Sequence, residues 1–135
     1  MDDSTWSTTI VHLDSQDIEA SVSAADKLYR ECTIDDVPRL LSLLDNASCI
    51  VREAAAWPLA GLAGPRALPE LLMAYQRGFD EGLDNDGFTT ALIELAVLHR
   101  AEARTALEKI SEEATGTLKE NADWLLQFCG EEDPS

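Results

Sequence analysis

The side chains from which this 135-residue chain could build an active site or a metal centre are two histidines, three cysteines and twenty-six carboxylates. His12 and His99 stand far apart, and neither belongs to an HExxH zinc spacing or sits beside a cysteine in a nucleophile motif. His99 falls at the end of a helical segment, where an imidazole complements the helix dipole. Cys32, Cys49 and Cys129 form an odd set with no CxxC pair, so they indicate neither a disulfide framework nor a zinc knuckle. They read as small hydrophobes of a core in a reducing compartment. No catalytic residue, metal ligand set or cofactor is assigned, and the chain reads as a non-enzyme.

The run Asp84-Asn85-Asp86-Gly87 invites a calcium test. If Gly87 took the glycine position of an EF-hand loop, the first ligand would fall on Gly82 and the bidentate ligand on Ile93, so two essential oxygens are missing. The stretch 80–87 instead reads as a surface loop, either a solvated linker or an acidic docking loop.

Carboxylates dominate the charge: 26 acids against 10 bases leave a formal net charge of −16. They are unevenly placed, with nine acids and two bases in 1–37, three and four in 38–79, and fourteen and four in 80–135. Such a chain lacks the clustered Lys and Arg that neutralise phosphates, which excludes nucleic acid as the expected ligand. It would steer a basic protein towards itself, or use its charge only for solubility. The acidic N-terminus is unlike a signal peptide. The longest apolar stretch, 54–63, contains Pro58 and is far shorter than the roughly 20 residues that span a bilayer. No membrane association and a cytoplasmic location are expected.

The elements that must position these side chains are helical throughout. Apolar residues recur at helical spacing, and nowhere do four or more alternate as in a half-buried strand. Seven helices are expected, over 15–32, 35–44, 50–63, 66–79, 88–99, 101–114 and 118–129, within one domain spanning 1–135. Residues 1–13 read as an N-terminal cap segment in which Trp6 covers an open edge, 14–129 as repeats and 130–135 as an acidic tail. For the first helix the expected cap is Asp14 or Ser15, and the expected buried stripe is Ile18, Val22, Ala25, Leu28 and Tyr29. Four segments align with one another: Ala20, Ala24, Ala25, Leu28; Val51, Ala55, Ala56, Leu59; Gly87, Ala91, Leu92, Leu95; and Leu118, Ala122, Leu126. The copies lie 31, 36 and 31 residues apart, a period that signals stacked helix pairs whose small alanines let axes approach closely.

The stretch Asp36-Val37-Pro38-Arg39-Leu40-Leu41-Ser42-Leu43-Leu44-Asp45, followed by Val51-Arg52-Glu53-Ala54-Ala55-Ala56-Trp57-Pro58-Leu59, resembles a HEAT repeat of the bacterial, phycobilisome-lyase-like type. The other copies keep only the Ala and Leu positions, and Arg52 has no counterpart in them. Pro58 departs from the family pattern and is expected to bend its helix near Ala54. The resemblance implies an all-α, right-handed α-α superhelix, a HEAT-like helical-hairpin solenoid, used as a protein-binding scaffold.

On that reading the concave side presents Glu53, Glu94, Glu120 and Asp123 beside the loop acids Asp80, Glu81, Asp84 and Asp86. Trp57 either packs against the next repeat or joins this surface as an anchor. A row of carboxylates with an aromatic suits a basic protein partner. The most concrete form is an immunity or antitoxin protein that blocks a cationic bacterial toxin; the alternatives are a generic HEAT adaptor and a phycobilin lyase-like pigment-protein factor. No bilin-holding residue set supports the last.

Overall fold

A computed structural model of the chain describes residues 1–130, so all of the expected acidic tail except Gly130 lies outside the described residues. Those residues are all α-helix, short 3-10 turns and connections, with no strand. The chain divides into two compact units, Met1–Ala63 and Gly64–Ser135. Eight α-helices are present among the described residues, one more than the seven expected.

The first unit holds α1 (Asp3–Leu13), α2 (Ile18–Glu31), α3 (Val37–Leu43) and α4 (Cys49–Leu62). The additional helix is α1. Its Ser- and Thr-rich sequence has weak helix propensity and reads as a polar cap segment, but outside contacts hold it. Asp2 caps it by accepting from the Thr5 backbone N–H at 2.7 Å. Leu13 and Thr9 are buried, with the Thr9 hydroxyl donating to the Thr5 carbonyl. Trp6 lies under the Arg39 guanidinium, 4.3 Å from Cζ to the ring centroid.

In α2 the cap is Asp17, which accepts from the Glu19 N–H at 3.0 Å; Ser15 instead accepts from Asp17 N–H, and Asp14 closes α1. The connection to α1 is pinned by the Ser21 hydroxyl, which donates to the Leu13 carbonyl. The expected inward stripe of α2 is reversed in part. Ala24 and Leu28 are buried, whereas Ile18, Val22 and Tyr29 are 77%, 62% and 51% exposed. At 3.6 residues per turn these two apolar lines run about 120° apart on the helix. The line carrying the small Ala24 is turned into the unit, where α2 packs against α1 and α4. The bulky line is left outside.

Helix α4 packs against α1, α2 and α3 and is the most buried element of this unit, with Val51, Arg52, Ala54, Ala55, Ala56, Pro58, Leu59 and Ala60 all inside. It continues as one element through Pro58. Arg52 is only 2% exposed. Its Nη1 donates to the carbonyls of Asn46 and Ala47 at 2.8 and 3.2 Å, closing the turn between α3 and α4.

The second unit holds α5 (Leu68–Asp80), α6 (Asp86–Leu98), α7 (Arg100–Glu113) and α8 (Gly116–Leu126), and α8 contacts the other three. Tyr75 sits at the centre of its aromatic cluster. The ring stacks on Trp124 at 5.8 Å and 15°, and packs against Phe79 and Phe88 at 4.8 and 5.7 Å. Its hydroxyl hydrogen-bonds with the Thr89 hydroxyl at 2.8 Å. Trp124 is therefore part of this unit's packing. His99 joins α6 to α7, with its ring packed over Gly64.

The four-copy alignment maps onto burial. Ala24, Ala55, Ala91 and Ala122 are all buried, as are Leu28, Leu59 and Leu95. In the fourth copy Leu125 is buried and Leu126 only half-buried, a shift of one residue, and a 3-10 turn follows at Gln127–Cys129.

Candidate functional site

Among the described residues three polar ones are buried, Thr9, Asp36 and Arg52, and each serves architecture. Asp36 receives four donors: Thr33 N–H at 2.8 Å, the Met1 ammonium at 3.2 Å, and Arg39 Nε and Nη2 at 3.0 and 2.7 Å. Burial pushes its carboxyl up, but the Thr33, Arg39 and N-terminal hydrogen bonds outweigh burial and hold it at about 2. Arg39 also reaches the Asp3 carboxylate and the Met1 carbonyl, so one guanidinium ties α1 to α3. Burial likewise raises the Cys32 thiol to about 11, assisted by the Asp36 charge, and raises that of Cys129. Both are protonated at neutral pH and poor nucleophiles. Among the described residues no buried side-chain N or O lacks a partner, and no three His, Cys, Asp or Glu side chains gather as a metal site. No described helix is long and apolar enough to cross a membrane.

The carboxylates singled out in the sequence are spread over both units. Asp80, Glu81, Asp84 and Asp86 surround a turn much tighter than a solvated linker. Glu81, Gly82 and Leu83 donate their N–H groups back to Arg77, Phe79 and Gly78. Asn85 adopts a left-handed conformation at φ 60° and donates its side-chain amide to the Tyr75 carbonyl at 2.7 Å. Asp80 accepts from Gln76, Glu81 pairs with Arg77 at 3.0 Å, and Asp84 accepts from Asp86 N–H. Asp123 accepts from Ser111 and Lys119, which lowers its pKa and joins α7 to α8. Glu94 is half-buried on α6 and Glu120 exposed on α8.

Glu53 and Trp57 belong to the first unit, one helical turn apart on α4 and both half-buried. Trp57 meets Tyr29 of α2 edge to face, with ring centroids 6.4 Å apart and planes at 87°. From that pair the exposed line Tyr29, Val22 and Ile18 runs back along α2. Its flanks carry Glu19 and the Asp26–Arg30 ion pair of 2.7 Å. The unit as a whole has eleven acids and four bases, a net charge of −7. This surface combines an aromatic pair, two bare aliphatic side chains and an acidic surround. Sequence reading finds Glu53 and Trp57 but assigns Ile18, Val22 and Tyr29 to the core. The signal that locates them is that α2 has two apolar lines, only one of which repeats in the other copies.

Set against known proteins, the chain matches no family model, no curated protein and no solved structure.

Proposed function

We propose that this chain is a non-enzymatic protein-binding module that docks a basic protein partner. The observation that carries this reading is the exposed line Ile18, Val22 and Tyr29, continued by Trp57, on a unit of net charge −7. Tyr and Trp are the residues on which binding energy concentrates, because they bury large areas with few rotatable bonds. Covering a bare Ile or Val side chain contributes about 1.5–3 kcal/mol when burial is complete. The surrounding carboxylates raise the encounter rate with a cationic protein and reject anionic ones.

The architecture supporting this surface is read as a HEAT-like array of helix pairs, a right-handed α-α superhelix, on the strength of the Ala and Leu positions buried in successive copies. The most concrete form of the function is an immunity protein acting in the cytoplasm, where it covers the active cleft of a cationic toxin. Calorimetric titration of the purified chain with the products of its neighbouring genes, the basic ones first, at rising salt, tests this. Saturable binding that weakens as salt rises is expected; no binding at low salt would overturn the reading.

A further inference from the structure

The second unit carries an apolar groove of about 260 Å³ lined by Pro69 and Met73 of α5, Ile110, Glu113 and Ala114 at the end of α7, and Leu118 in the first turn of α8. Helix α5 turns Leu68, Leu71, Leu72 and Tyr75 into the core, yet it also presents Met73, which is 64% exposed, on the groove side. A methionine suits an adaptable wall, because its unbranched thioether side chain refits to different shapes. Glu113 is the one charged residue of the lining. It makes no hydrogen bond or ion pair with another described residue, and the same holds for Glu70, Glu112 and Glu120, which adjoin the lining in sequence. The nearby cations are Arg66 before Pro69, Arg77 one turn beyond Met73 and paired with Glu81, Lys109 beside Ile110, and Lys119, engaged by Asp123 and Ser111.

We propose that this groove takes one large apolar side chain from a protein segment in which that residue is flanked by lysine or arginine. The inference rests on the reading of the chain as a binder of basic proteins. The apolar walls select a Phe- or Leu-sized anchor, and the unpartnered carboxylate at Glu113 pairs with a flanking cation. The same carboxylates repel an acidic peptide or an anionic lipid headgroup. The groove lies wholly within the second unit and shares no residue with the Tyr29–Trp57 surface.

The test is a titration of the ¹⁵N-labelled full chain, followed by amide NMR, with three acetylated and amidated pentapeptides. These are Lys-Lys-Phe-Lys-Lys, the same peptide with Ala for Phe, and the same peptide with Glu for every Lys. The Phe peptide is expected to shift the amides of Met73, Ile110, Ala114 and Leu118. The Ala peptide should bind roughly tenfold more weakly and the acidic peptide not at all. Glu113→Gln, a change at an exposed position, should weaken the Phe peptide by about threefold without altering the rest of the spectrum. Equal binding of the Phe and Ala peptides, or no shift at the groove, overturns the proposal. Shifts confined to Ile18, Val22, Tyr29 and Trp57 would overturn the groove while leaving the proposed function standing. That function is judged separately by the calorimetric titration.

Discussion

Replacing Asp36 by Asn isolates the most concentrated electrostatic feature of the chain. The carboxylate side chain is 4% exposed and receives four donors at 2.7–3.2 Å. Its pKa falls from the ordinary 3.8 to about 2, because the donors outweigh the cost of burial. A depression of that size corresponds to about 2 kcal/mol of stabilisation, at 1.36 kcal/mol per unit. Because the folded-state value is the lower one, the stabilisation is fully present above the unfolded pKa near 4 and is lost as pH falls through about 2. Urea denaturation followed by far-UV circular dichroism, on the natural chain and on Asp36→Asn, at pH 7 and stepwise from pH 4.5 to 2, measures it. The variant is expected to be less stable by about 2 kcal/mol at pH 7. That difference should shrink steadily below pH 4, while the remaining carboxylates cancel in the comparison. A difference independent of pH would show that the ionised carboxylate is not what holds α1 to α3. A difference under about 0.5 kcal/mol at pH 7, the usual effect of a neutral surface change, would refute the reasoning outright.

The tight turn between α5 and α6 depends on Gly78, because a Cβ there would fall inside the Asn85 side-chain amide. Gly78→Ala should therefore displace Asn85 from the Tyr75 carbonyl and cost about 1–2 kcal/mol by chemical denaturation, despite the gain in helix propensity; a stabilised variant would contradict this. Leu28→Ala should cost about 2–5 kcal/mol in the same assay, whereas Val22→Ala on the same helix should stay within about 0.5 kcal/mol. Equal losses would show that α2 buries the face expected from its bulky residues. Thiol labelling with a disulfide reagent at pH 7.5 should modify the half-buried Cys49 first and leave the buried Cys32 and Cys129 slow in the native chain. Three equal rates would contradict that order.

Much of the fold was legible because alanine and leucine repeat at helical spacing. Ala55, Leu59, Ala91 and Leu95 read as inward positions and are inward. Two features escaped. Helix α1 has a sequence of serines and threonines that propensity argues against, and it is held by contacts 30 or more residues away, chiefly Arg39 to Asp3 and Trp6. In α2 two apolar lines compete, and hydrophobicity alone favours the bulky one. Packing against α1 and α4 buries Ala24 together with the expected Leu28 and leaves Ile18, Val22 and Tyr29 outside, and this requires knowing the partner helices. The site was legible to the same extent. Trp57 stands out by type, but its exposed neighbour Tyr29 is visible only once α2 is correctly turned. The loop acids stand out by composition, while their local pairing with Gln76 and Arg77 and the Asn85 tether depend on the backbone of the turn.

Hydrogen–deuterium exchange on the chain with and without a basic protein that binds it tests the central claim most directly. Protection on binding is expected over residues 18–29 and 53–57, and Tyr29→Ala combined with Trp57→Ala should abolish it at unchanged far-UV circular dichroism. Binding that leaves both segments exchanging as in the free chain would contradict the assignment of this surface as the docking site.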